Sequence, residues 1–472
     1  MTEAKTVPHP WRIFSLVAVG VFMSTLDSSI VNIALPTIMK DLEGSFASVE
    51  WVVMIYLLTV SSLLLTFGRL SDIIGRRNVY CAGFLLFAAG SFLCGFSPTT
   101  AWLIGFRAVQ GAGAAMLMSC SPAIIVDVFP ETERGRALGA IGAVVAIGLT
   151  TGPALGGILI HYISWRAIFY LNVPIGILAA ILVLRMFHGH TLHFYKPQPF
   201  DWKGAVILAI TLAAFLLAAS HGAKWGVASL PTILFSITAV AGGNMFVVAE
   251  RVANRPLVDF SLFRTRLFIF PIAGAVFLFI SLFTIVFLMP FYLVDYCGFG
   301  ENYAGYMMVT PFIFLFFMAP VAGTLYDRIG SRLMCTAGMA VLFSALVLLT
   351  RLPDGPVVLP VVWRLGLAGI GTAMFTSPNT SAAMSAVPLA QRGLASGMVA
   401  TARNLGMVIG IALAGAIFHV VFKNLSGGAV FQQYDPALAP AFKGAFNWAM
   451  AAGAAVAGIG VVLAYLRGPD RK

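Results

Sequence analysis

The residue best placed to do chemistry is an acid in apolar surroundings. Asp27 stands in MSTLDSSIVNIALP, inside an uncharged run that begins near Ile13. It is the one acidic residue that the sequence sets deep in such a run; the other seventeen Asp and Glu read as loop or span-end residues. A carboxylate in hydrocarbon is costly, hence rare and functional by default. Burial favours the neutral form of a carboxylic acid, so such a group can take up and release a proton. Arg107 is the candidate partner. At 1.5 Å per residue Asp27 lies roughly 21 Å from the face where its run starts. Arg107 lies in a run of opposite direction starting near Ala101, roughly 9 Å from the other face and roughly 21 Å from the first in a ~30 Å core. Asp27 therefore reads as a proton carrier and Arg107 as its modulator; the alternative is a structural ion pair that never titrates.

Three further constellations carry chemistry or motion. In GRLSDIIGRR the residues Gly68 and Gly75 permit a tight turn, and Asp72 can pair with Arg76 or Arg77, or sit at a helix N-terminus. That makes a gate or a static fastening, with Asp327 and Arg332 as a weaker second copy. The spacing Gly148-xxx-Gly152-xxx-Gly156 puts small residues on one helix face and permits close packing, with Gly157 beside it and Pro153 as a bend. Asn32, Trp51, Tyr56, Gln110, Phe312, Phe316 and Arg403 are candidates to line a substrate cavity, since aromatic surfaces with a few polar groups accept varied ligands. Arg403 and Arg364 also lie in apolar runs, and a buried Arg needs a partner: backbone carbonyls, water, Asn379, Asn404 or a substrate anion. Three deep Arg against one Asp disfavour dications and point to neutral, monovalent or weakly acidic amphipathic compounds.

The elements that position these residues are membrane helices. Hydrophobic residues make up 60% of the 472 and charged residues 10%, with a mean hydropathy of +0.93; a soluble domain carries about 25% charged residues. Runs of about 20 apolar residues, the length that crosses a bilayer, recur at 13–36, 51–68, 78–97, 101–126, 137–160, 167–184, 205–223, 232–249, 268–291, 302–326, 333–350, 357–383, 394–418 and 444–466. The short alternating segments of a transmembrane barrel are absent. The start MTEAKTVPHPWRIF has no cleavage site. The formal charge of +11 is distributed as a topology signal and does not point to nucleic acid. With the N-terminus cytoplasmic, twenty of the 29 Lys and Arg fall in cytoplasmic segments, six in external ones and three within spans. This is the positive-inside pattern, and it puts both termini in the cytoplasm. The five Cys have no metal spacing and read as packing residues; HGHTLH (188–193) reads as a solvated loop, and no metal is expected. No G-x-x-x-x-G-K-[ST] loop is present, which argues against ATP as the driver.

The chain repeats itself. Gly68–Arg77 recurs as Gly323–Arg332 at an offset of 255, Pro36 has Pro290, Arg107 has Arg364, and Gly148, Gly152 and Gly157 have Gly406, Gly410 and Gly415. Spans 1–6 thus correspond to spans 9–14, with spans 7 and 8 inserted. Parallel repeats about an axis along the membrane normal are a transporter architecture.

These landmarks resemble the major facilitator superfamily, in particular its fourteen-span drug:proton antiporters of the EmrB/QacA type. GRLSDIIGRR resembles the loop signature between spans 2 and 3, Leu26–Pro36 the span-1 signature, and Arg107–Ala115 that of span 4. Gly148–Gly157 resembles the antiporter signature of span 5, and WRAIFYLNVPIG (165–176) is similar to the start of span 6 in this branch. The resemblance implies an all-α membrane protein of the major facilitator fold: a six-helix bundle over 1–186, two inserted helices over 187–266, and a second bundle over 267–472 in pseudo-twofold relation. It implies that Asp27 and Arg107 serve proton coupling and that the span-5 face favours antiport. The expectation is a non-enzymatic, proton-coupled multidrug efflux antiporter of the bacterial inner membrane. It would work by alternating access, with lipid, protons and an amphipathic small molecule as partners and no cofactor. The alternatives are a dedicated exporter of one metabolite, siderophore or lipid, and the inner-membrane member of an envelope-spanning pump with a periplasmic adaptor. A sensor would need a large output domain, for which the chain has no segment.

Overall fold

In hydrocarbon a backbone N–H or C=O finds a partner only within its own helix or a closed barrel, and the apolar runs accordingly become helices. The structure, a computed structural model, describes residues 10–186, 202–225, 229–252, 265–387, 392–431 and 434–468. The first half holds α1 (Pro10–Asp41), α2 (Phe46–Ile74), α3 (Arg76–Gly95), α4 (Thr100–Val128), α5 (Glu131–Tyr162), α6 (Ala167–Tyr170) and α7 (Asn172–Met186). Then come α8 (Trp202–Trp225) and α9 (Leu230–Val252). The second half holds α10 (Arg266–Phe291), which ends in a π-helical turn at Tyr292–Tyr296, then α11 (Glu301–Ile329), α12 (Ser331–Leu349), α13 (Val358–Ser385), α14 (Arg392–Leu425) and α15 (Ala439–Leu466). No strand occurs among the described residues.

Each of the fourteen expected windows holds a helix. Thirteen spans are long and apolar enough to cross a membrane, with α6 and α7 together forming one of them. The fourteenth window holds α8, whose 24 residues reach about 36 Å at helical rise. Its described apolar stretch is shorter, Val206–Phe215. The sixth span departs from expectation by breaking at Leu171 between α6 and α7. Local chemistry sets the ends. Ser45 caps α2 by accepting from the Ser48 N–H, and Thr99 caps α4 by accepting from the Trp102 N–H. The α2–α3 and α11–α12 turns hinge on Gly75 (φ +95°) and Gly330 (φ +81°), a backbone region that glycine enters without strain.

Packing follows the sequence repeat. In the first half α1 packs on α5, α2 on α4, and α3 on α4 and α7; in the second, α10 packs on α14, α11 on α13, and α12 on α13 and α15. The inserted α8 and α9 pack on each other, and α8 leans on α2 and on α14. The halves meet along two crosswise seams, α5 with α11 and α2 with α14.

Both seams are tight at one end, which we call outer; the inner end holds the Gly75 and Gly330 turns. At the outer end a Cβ on Gly157 would stand 2.5 Å from the Glu301 carbonyl oxygen, and the Thr37 hydroxyl donates to Glu301 Oε1 at 3.3 Å. Phe46 of α2 inserts among Phe287 and Phe291 of α10, Phe418 of α14 and Phe431, with ring centroids 5.0–5.7 Å apart. Towards the inner end the packing loosens. About four turns from Gly157 on α5, Gly142 faces open space. On α11, Phe312 is 3% exposed but Phe316, one turn inward on the same face, is 42% exposed. The cleft between the halves is shut outside and open inside.

Candidate functional site

Five helices converge on Asp27. It is wholly buried on α1 and forms an ion pair with Arg107 of α4, which is wholly buried too. Gln110, one turn along α4, bridges the pair: its amide nitrogen donates to Asp27 Oδ1 at 2.8 Å and its oxygen accepts from Arg107 Nη1 at 2.7 Å. The same nitrogen donates to Ser91 Oγ of α3 at 2.6 Å. Arg107 Nε donates to the Val52 carbonyl of α2 at 3.1 Å. Its guanidinium lies 4.1 Å from the centroid of the Tyr56 ring, a favourable cation–π geometry. The Tyr56 hydroxyl donates to the Ser24 carbonyl at 2.9 Å and ties that ring back to α1. Asn172 of α7 completes the set, its amide donating to Asp27 Oδ1 at 3.4 Å. The shared depth estimated from helical rise thus corresponds to contact.

Asn172 is a site residue that sequence reading missed, though it stands in the quoted segment WRAIFYLNVPIG. The signal available was an Asn within an apolar span two residues before a proline. The break at Leu171 sets Asn172 at the start of α7, where its side chain meets Asp27.

The span-5 glycines hold α1, the helix that carries Asp27. Gly148 lies against Thr25, Gly152 against Ser29, and Gly156 against Ile30 and Ile33; a Cβ at any of them would collide with α1. Pro153 lies inside α5 and its carbonyl packs on Gly305 of α11. Gly157 departs from its neighbours by turning to α11 and the second half.

At the inner end, Asp72 pairs with Arg76 (Nη2 to Oδ1, 3.0 Å) and Arg69 stands 4.0 Å from its other oxygen. Arg76 also forms an ion pair with Asp127 of α4, a partner the sequence reading did not name, and donates to the Ala123 carbonyl at 2.8 Å. Arg77 donates to the Leu184 carbonyl of α7 at 3.0 Å. Gly68 has open room, the nearest atom to a Cβ there being Ser119 Cβ at 3.7 Å. These contacts fasten α2, α3, α4 and α7 within the first half. In the second copy Arg332 donates to the Tyr465 carbonyl at 2.8 Å and lies over its ring; the side chain of Asp327 lies outside the described residues, as does the segment 188–193.

The candidate cavity residues separate. Gln110 and Tyr56 belong to the Asp27 network, not to an open cavity, because Arg107 engages both. Asn32 is 2% exposed and donates to the Ser28 and Ser29 carbonyls of its own helix. Trp51 is half-buried on the outer part of α2, Phe312 is core, and Phe316 opens to the inner cleft. Arg364 is not deep: it caps the Leu348, Pro360 and Arg351 carbonyls at 2.9, 2.7 and 3.4 Å near the outer end. Asn379 donates to the Pro271 carbonyl at 2.9 Å. Arg403 is half-buried on α14, and its Nε is enclosed without a hydrogen-bond partner among the described residues. Glu50 stands near the start of α2, at a span end as the sequence suggests, and is 1% exposed, a burial that its position alone does not reveal.

The sequence profile of the Major Facilitator Superfamily matches residues 17–411 and 272–472. The chain is 34% identical over 409 residues to the riboflavin transporter RibZ of Clostridioides difficile, covering 86% of this chain and 88% of that one. It is likewise 34% identical over 410 residues to the multidrug resistance protein Stp of Mycobacterium tuberculosis, covering 86% and 76%. Among solved structures, an inward-facing, unoccupied bacterial homologue of the human lysosomal transporter Spinster is similar with a TM-score of 0.70 at 15% identity, over 98% of this chain and 97% of that one, a likeness of fold. Helical repeats, two seams and a buried charge site on a transporter scaffold agree with that profile: the chain is a multi-pass, non-enzymatic membrane transporter and belongs to the Major Facilitator Superfamily.

Proposed function

We propose that this protein exports amphipathic small molecules in exchange for protons, by alternating access, from a bacterial cytoplasmic membrane with both termini in the cytoplasm. The observation that carries the reading is the wholly buried Asp27–Arg107 pair on the helix that the span-5 glycines clamp. Ionised, Asp27 neutralises Arg107. Protonated, it leaves a buried guanidinium without its counter-charge, a state that costs about 3–5 kcal/mol. The half relieves that cost by moving Arg107 or admitting water, which ties proton uptake to a change of shape. The inner end, open in this structure, is cytoplasmic by the charge pattern, so the cleft receives substrate from the cytoplasm or inner leaflet. A proton arriving from outside and a substrate arriving from inside then favour opposite states. No cofactor enters this cycle. Arg403, with no acid beside it among the described residues, supports neutral, monovalent or weakly acidic substrates over dications. The inner-end network at Gly68, Asp72, Gly75, Arg76 and Arg77 serves this cycle as the cytoplasmic gate.

The test is substrate-induced proton release in inverted vesicles or proteoliposomes, wild type against Asp27→Asn, over a panel of cationic, neutral and acidic amphiphiles. Release by wild type and none by the variant is expected; equal behaviour removes Asp27 from the coupling. A second reading, a transporter dedicated to one metabolite, is favoured by the similarity to a riboflavin transporter. A response confined to one compound of the panel selects it. Co-purification of a periplasmic adaptor with the tagged chain would mark an envelope-spanning assembly.

A further inference from the structure

Among the described residues, the charge cycle above leaves one buried carboxylate unused. Glu50 is 1% exposed and lies in the α2–α14 seam, where the two halves close. Opposite it stands Gly415: a Cβ there would come within 2.6 Å of Glu50 Oε2 and 2.7 Å of its carboxyl carbon. One turn nearer the outer end, on the same face of α2, is Phe46, caged by Phe287, Phe291, Phe418 and Phe431. The aromatic plug lies between Glu50 and the outer solution. Separating the α2–α14 seam must draw Phe46 from its cage and bring outer water to Glu50.

Charge neutrality then sets a condition on closure. An ionised carboxylate enclosed in an apolar seam is costly unless neutralised. His419 lies four residues beyond Gly415, one turn further along the same face of α14. Other charged groups on the elements around α2 are already engaged, lie at helix ends or stand far along the helix, as does Arg403 of α14, twelve residues and about 18 Å inward of Gly415. Arg107 of α4 is held by Asp27; Lys40 ends α1 and Lys423 lies in the last turn of α14; Asp295 lies in the turn after α10; Arg76 and Arg77 of α3 are at the inner end. The described side chains of α8 carry no charge. A closed seam is neutral when it holds one proton, on Glu50 or on the His419 imidazole. Both forms have the same proton count, so a one-proton step describes the seam whichever group holds the proton.

We propose that Glu50 is the proton-binding group of the outer gate: the α2–α14 seam closes when Glu50, together with His419, takes up one proton from the outer solution, and opens when that proton leaves. This rests on the alternating-access reading but not on proton coupling at Asp27. Hydrogen–deuterium exchange tests it on the full chain in lipid nanodiscs between pH 5.5 and 8.5, corrected for the intrinsic pH dependence of exchange. In the wild type, peptides covering 46–54 and 411–419 should lose protection as pH rises, by up to about tenfold per pH unit for a one-proton step. Glu50→Gln should stay protected throughout, whereas Asp27→Asn, which displaces the balance of states at every pH, should keep the slope of protection with pH. A flat wild-type profile overturns the proposal, as does an unchanged slope in Glu50→Gln. Should Glu50→Gln not fold, Glu50→Asp decides: a shifted midpoint upholds the proposal and an unchanged profile overturns it. A wild type that releases no protons with any amphiphile, yet shows this pH-dependent seam, sinks the antiport reading and leaves the gate standing.

Discussion

The two halves share a pattern of packing and differ in what they hold at its centre. The register that matches Pro36 with Pro290 sets Ser281 where the first half has Asp27. Ser281 is wholly buried as well, but its hydroxyl lies 3.0 and 3.1 Å from the Phe277 and Gly453 carbonyls, a neutral arrangement. Arg107 is matched by Arg364, which spends its donors on three carbonyls near the outer end. Gln110 is matched by Leu367. One scaffold therefore closes around an ion pair in one half and around a hydroxyl in the other. Replacing a buried ion pair by well-packed neutral residues is often neutral or stabilising. The fold does not need the charges, and the Asp27–Arg107 pair has to be explained by what it does.

The largest expected effect breaks the pair on one side. Arg107→Met removes the counter-charge and should destabilise the protein by about 3–5 kcal/mol, read as a lower unfolding temperature in detergent. Adding Asp27→Asn should recover most of that loss, since the double variant restores neutrality as the second half does. A double variant no more stable than Arg107→Met would mean that Asp27 carries no charge in the resting protein. Next come the matched glycines. Gly152→Ala and Gly410→Ala should each cost about 1–3 kcal/mol by overpacking. Gly410→Ala should lie at the upper end, because it meets the backbone of Ile280, where Gly152 meets chiefly the Ser29 hydroxyl, which can turn away. The reverse order would show that α1 yields less than α10. Ser281→Ala should lose a hydrogen bond worth about 0.5–1.5 kcal/mol and leave the protons released per substrate unchanged; a change there would give the second half a share in coupling.

Much of this was legible in the sequence because membrane helices announce themselves by length and charge. The repeat showed in the offset between Gly75 and Gly330, and both turn out to need positive φ. Asp27 and Arg107 were readable because helical rise alone sets depth. Distance along a helix says nothing of azimuth, however, and there the reading failed. Gln110 and Tyr56 looked like cavity residues because they are polar or aromatic in a span; only the packing of α1, α2 and α4 shows that Arg107 claims both. Glu50 does lie near the end of α2, but its burial could not be read from there, because Gly415 of α14, which packs against its carboxylate, is 365 residues away. Asp127 was missed as the partner of Arg76 for the same reason.

The smallest effect sharpens the comparison at the outer ends, where each half has an exposed ion pair. In the first, Asp41 accepts from Arg166 at 2.7 Å and from the Trp165 indole at 2.8 Å. In the second, Asp354 accepts from Lys443, and from the Tyr296 hydroxyl at 2.8 Å. The Lys443 ammonium first, and the Tyr296 hydroxyl after it, hold the Asp354 carboxyl below its ordinary range. A lowered carboxylate favours the folded state at every pH above the unfolded value, about 3.9, and loses that contribution as pH falls through the folded one. Asp354→Asn should therefore lower the unfolding temperature slightly at pH 7, and the difference should vanish as the solution is taken below about pH 4. It should also shrink in high salt, because the pair is exposed and screened. A difference that persisted in acid would mean that the Asp354 side chain serves the α10–α15 contact by its shape rather than its charge.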